Sequence, residues 1–509
     1  MPITTEIRWR AAVIGVLATV AGLSVGELAA SAITPLASPF RAVGALLVDR
    51  SPAAMREFAI ETFGTADKTA LFVGIGLALL GVAALAGVLQ ARRPPLGALV
   101  VVAVGCVGVY ASLTRPTASA SYALPSILAA ATATILLVGL CRNAVRPRSS
   151  SATGWNRRRF LAASAALAGV VVLTHAVART LSRAADAVTD RSGLRLPTPQ
   201  EPAAPIPAGT EVRADGVTPF LTANDRFYRI DTALQVPRVR TTDWRLRIHG
   251  MVDRDVTLSW DDLVARPMIE RIVTLTCVSN EVGGDLAGNA RWLGTPMRDL
   301  LDEVGIRPGA DMLLSTSVDG WTSGTPLSAL TDGRDAMLAI GMNGSPLPFE
   351  HGYPVRQVVT GLYGFVSACK WVTDWEITRF DRAQAYWTRR GWGMRAPIKT
   401  ASRIDRPAPL STHAPGRVVV AGTAWAQHRG VRAVEVRVDD GPWSPATLAT
   451  EYSTDTWRQW TWDWDATPGQ HTLQCRATDA AGRVQPEARV APIPDGATGW
   501  HSRVFRVDG

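Results

Sequence analysis

TLTCVSNEVGGDLAGNARWLGTPMRDLL, residues 274–301, decides how the rest of the chain is read. Apolar Ile272, Val273 and Leu275 approach as a strand and deliver one cysteine, Cys277, into a polar, glycine-rich loop. Order is expected to resume at Arg291-Trp292 and to continue into an amphipathic run over 296–301. A strand fixes a sulfur in space, and Gly283, Gly284 and Gly288 let backbone approach something bulky, which is how a thiolate ligand is presented. A lone cysteine after an apolar strand is equally a small buried hydrophobe, so the loop takes its meaning from its context.

With 509 residues, 47% of them hydrophobic, there is room for two or three domains. The composition is uneven. Before about residue 180 the chain is rich in Ala, Val, Leu and Gly, whereas 15 of the 17 tryptophans lie after residue 200. The net charge of +9 does not indicate nucleic acid, because the arginines flank apolar runs instead of forming a basic stripe with interleaved aromatics. Five cysteines make a poor disulfide framework: Cys106 and Cys141 fall in apolar runs, and only a Cys369–Cys475 bridge is conceivable.

Residues 1–180 are expected to be an all-α transmembrane bundle. Apolar runs at about 11–33, 70–90, 96–113, 122–141 and 160–178 are each about long enough to cross a bilayer. Arg8 and Arg10, Arg92 and Arg93, and Arg142 to Arg159 all fall on one side, so that the chain after the fifth span is extracytoplasmic in a multi-pass cell-membrane protein. The entrance to that span, NRRRFLAAS from Asn156, resembles an internal twin-arginine export signal at 157–161, a route that carries proteins already folded around a cofactor. Haem held between facing histidines is excluded from the first four spans, since the first histidine is His175. Glu27 and Lys68 sit near span ends, leaving no intramembrane charge pair of the kind that marks an ion path. Residues 181–216, with the proline-rich LPTPQEPAAPIPAG, are expected to be an extended linker.

From 217 to 405, short strands (Trp244–Ile248, Val256–Ser259, Ile272–Leu275, Met312–Ser315) alternate with short helices such as Trp260–Ala265. The rhythm is not βαβ and no GxGxxG follows a strand, which points to a compact α+β domain and away from nucleotide cofactors. Three clusters join Cys277: the polar and aromatic stretch 222–232, the segment HGYPVR at 351–356, and SACKW at 367–371. A thiolate, a histidine, an arginine five residues on and a lysine nineteen on suit an anionic cofactor, with sulfur for a metal and cations for a phosphate. Residues 406–509 carry five alternating strands at 417–423, 431–438, 457–464, 471–478 and 503–507, joined by DDGP, TPGQ and DAAG turns, as in an immunoglobulin-like all-β sandwich. Trp460, Trp462 and Trp464 share one face, as core or as a subunit interface.

From 217 to 509 the chain resembles the sulfite oxidase family of molybdopterin enzymes. The resemblance is carried by the cysteine loop with ARWLG at 290–294, HGYPVRQVV at 351–359, CKWV at 369–372, DAAGRVQP at 479–486 and GWHSRV at 499–504, all in order. It implies a molybdenum cofactor with one pterin, Cys277 as the protein's metal ligand, and oxygen-atom transfer by a two-electron cycle of the metal. It further implies that His351, Arg356 and Lys370 hold the pterin and its phosphate, that Asn224, Phe227 and Tyr228 line the cofactor or its entry, and that Asn280 and Trp392 belong to the catalytic pocket. The last domain becomes a dimerisation domain, and a homodimer through it is expected. The arginines that sulfite-oxidising members place around the substrate fall at Val282, Ala223 and Asp463 here, and their tyrosine falls at Trp392. A pocket without those charges does little to offset the desolvation of a dianion.

The expectation is a membrane-anchored molybdenum oxidoreductase acting on a small, sulfur-containing substrate. With no haem site in the chain, electrons pass to or from a separate carrier, a cytochrome or a quinone-linked protein. The alternative is a membrane-anchored binding or receptor-like module that uses the same scaffold without catalysis.

Overall fold

The structure is a computed structural model that describes residues 5–52, 67–115, 118–145 and 183–508, with 55, 58, 59, 62, 63 and 169. The expected fifth span, the twin-arginine-like motif and His175 lie outside the described residues. The chain divides into two compact units at about residue 186.

The first unit holds helices α1 (Thr5–Ile33), α2 (Pro39–Arg50), α3 (Asp67–Arg92), α4 (Leu96–Leu113) and α5 (Ala123–Val145). Four stretches, Arg8–Ile33, Asp67–Arg92, Leu96–Leu113 and Ala120–Arg142, are helical, long and apolar enough to cross a membrane, at the positions the hydropathy of the sequence marks. They approach closely at small residues: a Cβ on Gly15 of α1 would run into the Ala83 carbonyl of α3, and one on Gly97 of α4 into that of Ala86. Helix α2, with 12 residues, is too short to span. Ser38 caps it by accepting from the Arg41 N–H at 3.3 Å, and its hydroxyl donates to Glu27 at 2.5 Å.

The second unit, Ala187–Thr232 with Val236–Gly509, begins within a helix over Arg183–Gly193, followed by a strap of irregular chain. Residues 194–216, part of the stretch 181–216 expected to be a spacer, instead lie along the globular part. Gln200 N–H donates to the Met268 carbonyl (2.8 Å), Val212 N–H to the Gln459 side chain (2.6 Å), and Thr450 N–H to the Gly209 carbonyl (2.9 Å). A proline-rich segment has few N–H groups for a sheet of its own, and it pairs with edges that others offer.

Ten strands follow: β1 (Arg245–Gly250), β2 (Val256–Ser259), β3 (Ile269–Thr276), β4 (Ala287–Pro296), β5 (Met312–Ser317), β6 (Thr322–Pro326), β7 (Met337–Met342), β8 (Ser345–Pro346), β9 (Arg356–Val358) and β10 (Val372–Thr378). One sheet runs β2-β1-β10-β5-β6, with β1 and β10 parallel; the other runs β3-β4-β7-β8, with β9 on β7. Order resumes after the cysteine loop at Ala287, four residues before Arg291, because Ala287 to Ala290 pair in register with Thr276 to Val273. Between β2 and β3, Ser259 and Asp262 form a capping box that starts the helix Trp260–Val264 where the sequence marks it. The helix Met297–Val304 buries Met297, Leu300, Leu301 and Val304, the i, i+3, i+4, i+7 face of an amphipathic helix.

Nine further strands form the sandwich: β11 (Ala401–Arg406), β12 (Thr412–His413), β13 (Gly416–Trp425), β14 (Val431–Val438), β15 (Ser444–Pro445), β16 (Thr447–Leu448), β17 (Arg458–Ala466), β18 (Gly469–Asp479) and β19 (His501–Val507). Its two sheets are β11-β13-β17-β16 and β12-β19-β18-β14-β15, so the sandwich starts at Ala401, a few residues before position 406. Trp460 is completely buried in its core, with Trp462 and Trp464 packed against it. Cys369 and Cys475 are both buried and both free thiols; no bridge joins them.

Candidate active site

The loop that β3 delivers is closed by its own hydrogen bonds. Cys277 N–H donates to the Leu286 carbonyl (2.9 Å), Asn280 N–H to the Cys277 carbonyl (3.1 Å), and Leu286 N–H to the Asn280 Oδ1 (2.9 Å). Asn280 is therefore the brace of the loop. Its side chain does not line the large cavity, and the residue borders a separate small cleft with Val282 and Tyr363. The three glycines make room for protein, not for a ligand. A Cβ on Gly283 would strike the ring of His501, one on Gly284 would lie 2.6 Å from Asn280 Oδ1, and one on Gly288 would lie 2.7 Å from the Phe227 ring.

Cys277 faces a cavity of about 930 Å3, its open mouth included, built from loops of six different elements. Phe227, Tyr228 and Asp231 come from the strap, and Val278 and Ser279 from the cysteine loop. Ser317, Asp319 and Trp321 come from the β5–β6 hairpin, His351 and Arg356 from the approach to β9, Phe365 and Lys370 from the approach to β10, and Trp387 and Trp392 from the segment beyond it. Of the residues singled out in the sequence, the cavity gathers Cys277, Phe227, Tyr228, His351, Arg356, Lys370 and Trp392. Asn224 stands one layer behind them. Its backbone carbonyl is 3.0 Å from His351 Nε2, and its side chain joins Met342 and Asn343.

The Cys277 sulfur accepts a hydrogen bond from the Ser279 N–H at 3.4 Å. Burial outweighs this donor and the nearby Lys370 cation, and it pushes the thiol up from its ordinary value. His351 is pushed down to about 4, by burial first and by Arg356 second, so it is a neutral imidazole with Nε2–H donating to the Asn224 carbonyl. Phe227 packs edge-on against both His351 (5.5 Å) and Trp292 (5.7 Å), and stacks on Tyr228 at 5.2 Å. Lys370 is pushed down to about 8 by burial, against the attraction of Asp231, which its ammonium meets at 2.8 Å.

Arg356 differs from every other cation in the cavity. It is 5% exposed, its guanidinium donates to the carbonyls of Gln357 and His351 (3.3 and 3.2 Å) and lies over the Trp292 ring at 4.9 Å, and among the described residues no carboxylate pairs with it. Burial pushes it down to about 10. A buried, unneutralised cation on a cavity wall fits an anionic group placed there, and a thiol facing the same space fits a metal carried by that group. On these observations the residues fit a phosphate-bearing metal cofactor.

A family model described as oxidoreductase molybdopterin binding domain matches residues 233–387, and one described as bacterial Ig domain matches 401–474. The chain is 29% identical over 338 residues to the sulfite oxidase of Gallus gallus, covering 55% of this chain and 72% of that one. It is 32% identical over 154 residues to an uncharacterized oxidoreductase, YuiH, of Bacillus subtilis, covering 30% of this chain and 74% of that protein. The chain belongs to the sulfite oxidase family of molybdopterin-dependent oxidoreductases. It spans 58% of the length of the family's mitochondrial member from Homo sapiens, to which it is 30% identical.

Family membership does not carry the substrate pocket with it. Val282 lies in the small cleft behind the loop, Ala223 is exposed, and Asp463 is on the outside of the sandwich, paired with Arg417 at 2.8 Å. None of the three lines the cavity, so the charges they lack do not describe its wall. The wall itself does. Trp392 packs on Phe365 (5.8 Å) and Trp387 (6.0 Å), with Trp321 in the same lining. Asp231 belongs to the polar stretch 222–232 but carries no role of its own in the sequence, and Asp319 is not singled out there. An isolated aspartate in a hairpin turn reads as turn chemistry, and Asp319 shows itself only by its burial, which pushes its carboxyl up from the usual range.

Proposed function

We propose that this protein is a membrane-anchored molybdenum oxidoreductase that transfers an oxygen atom to or from a small, uncharged, sulfur-containing compound and exchanges electrons with a separate carrier. The observation that carries the reading is the meeting, in one cavity, of the Cys277 thiol with the unneutralised Arg356. Bound there, the molybdenum cofactor supplies two-electron oxygen-atom transfer. Cys277 would serve as its protein ligand, Arg356 and Lys370 would neutralise the phosphate, and His351, held neutral by burial and by Arg356 with its Nε2–H on the Asn224 carbonyl, would accept a hydrogen bond at Nδ1 without adding charge. Phe227 and Tyr228 would border the bound cofactor, and the aromatic lining of Trp392, Phe365 and Trp387 would limit water in the cavity.

The lining supports an uncharged substrate. Its cations are Arg356 and Lys370, both assigned to the cofactor, and its acidic groups are Asp231, which meets the Lys370 ammonium at 2.8 Å, and Asp319. A sulfite dianion entering this space meets carboxylates and aromatic rings where it needs donors. The apolar helices and the placement of arginines at one set of their ends support anchoring with the catalytic unit on the extracytoplasmic side.

Metal analysis of the purified protein, followed by turnover with an artificial electron carrier on sulfite and on a panel of neutral sulfoxides, tests the proposal. Molybdenum near one per chain in wild type, little in Cys277→Ser, and sulfoxide turnover well above sulfite turnover are expected. Full metal occupancy and activity in Cys277→Ser defeats the reading, and efficient sulfite turnover defeats the substrate class. A metal-free preparation with a tight protein partner would favour the binding-module alternative.

A further inference from the structure

The cysteine loop is held from behind by the sandwich, on both sides of Cys277. Before the cysteine, Thr274 N–H donates to the Asp455 carbonyl (3.0 Å), Thr274 Oγ1 accepts from the Trp457 N–H (2.8 Å), and the Gln427 amide donates to the Thr274 carbonyl (3.0 Å). After it, Arg403 of β11 donates through Nη1 to the Gly284 carbonyl at 2.8 Å. All three nitrogens of Arg403 are engaged: Nε reaches Asp405 at 2.7 Å and Nη2 reaches Thr218 at 2.8 Å. Arg403 is 6% exposed, so this is a fixed contact.

His501 of β19 completes the grip. Its Nδ1 accepts from the Ile404 N–H at 2.9 Å, and the face left by the missing side chain of Gly283 receives its ring. Gly283 has φ +80°, so any other residue there is strained as well as obstructed. Inside the loop, Gly284 N–H closes on the Glu281 carbonyl at 2.9 Å, next to the Asn280 brace. A displacement at Gly283 or Gly284 therefore reaches Cys277 through two short hydrogen-bonded turns.

We propose that the sandwich is a working part of the metal site: Arg403 and His501 are positioning residues that set, through Gly283 and Gly284, where the Cys277 sulfur stands in the cavity. This rests on the reading of Cys277 as the metal's ligand, but the positioning is a property of the chain itself and is measurable without the cofactor. Cys369 provides an internal control: it is a buried free thiol between the lining residues Ala368 and Lys370, and its carbonyl accepts from the Gln357 N–H at 2.9 Å.

The experiment follows iodoacetamide alkylation of Cys277 and Cys369, peptide by peptide, in the full-length cofactor-free protein, and the molybdenum(V) resonance in the loaded protein. Losing a charge-assisted hydrogen bond that holds the loop should speed Cys277 alkylation about tenfold in Arg403→Ala, with Cys369 unchanged. Gly283→Ala, which leaves Arg403 in place and pushes on His501, should do the same, and Arg403→Lys should stay within about twofold of wild type. In loaded protein the Arg403→Ala resonance should shift from that of wild type. Wild-type alkylation rates and resonance in both variants overturn the proposal. So does equal acceleration of Cys369, which would make Arg403 a general stabiliser of the fold. If wild type binds no molybdenum, the reading of Cys277 as ligand fails, while the alkylation result still decides whether the sandwich positions the loop.

Discussion

Arg356 sits where a fold alone would not put it. A guanidinium with only carbonyls and an indole face around it is costly in a protein that holds no counter-anion, and removing it should help that form. Arg356→Met is expected to stabilise the cofactor-free protein by about 1–4 kcal/mol in urea unfolding and to cut its molybdenum content at least tenfold in a competent host. A loss of stability in the cofactor-free form would mean that the carbonyls and Trp292 already compensate the charge. His351 and His501 make a second prediction. Both are pushed down to about 4 by burial, so between pH 6.5 and 4 the unfolded chain binds protons that the folded one does not. Their contribution is complete above pH 6.5 and is lost as pH falls through 4, on the order of 3 kcal/mol for each imidazole. The urea midpoint of the cofactor-free protein should drop across that window, and His351→Gln should flatten the drop.

Strand β3 and the loop after it are the element on which the site depends. After Glu270 and Arg271 the strand becomes a run of Ile, Val, Thr and Leu over its last five residues, all buried, as a strand covered on both faces requires. Thr274 is fully buried within it. Its hydroxyl donates to Asn289 Oδ1 at 3.0 Å and accepts from Trp457 N–H, joining β3 to β4 and to the sandwich. Thr274→Val keeps the shape and strands both partners, so a loss of about 1–3 kcal/mol in urea unfolding is expected. A neutral result would show that water or a shifted neighbour satisfies them. In the sequence, β3 is legible from its apolar run and the helix Trp260–Val264 from its cap. β7 and β10 are harder to see: MLAIGM is too short to separate a strand from a helix segment by period, and VTDWEIT takes its identity from the parallel neighbour β1.

At the scale of the whole molecule, the catalytic domain and the sandwich are not separable pieces. Trp425 and Trp457, which the chain order assigns to the sandwich, are buried in the core of the catalytic domain together with Phe220 and Tyr363. Each such ring buries about 150–250 Å2. A chain ending at residue 400 should therefore lose soluble expression and molybdenum together; a soluble, loaded truncation would show that the catalytic core closes without those rings. The proposed cofactor ligands Cys277, His351, Arg356 and Lys370 were visible in the sequence because their motifs combine unusual residue types in a fixed order, and the four long apolar helices because hydropathy over about 20 residues is a local property. Local signals also identified the sandwich strands, through alternation and turn residues. Which side chains face the cavity was decided only by the tertiary structure. It put Trp392 on the wall but Val282, Ala223 and Asp463 elsewhere, turned the expected linker into a strap, and filled the gaps left by Gly283 and Gly288 with His501 and Phe227. Those outcomes depend on contacts between residues tens to hundreds of positions apart, made when two sheets and a sandwich pack together, and no window of sequence contains both partners.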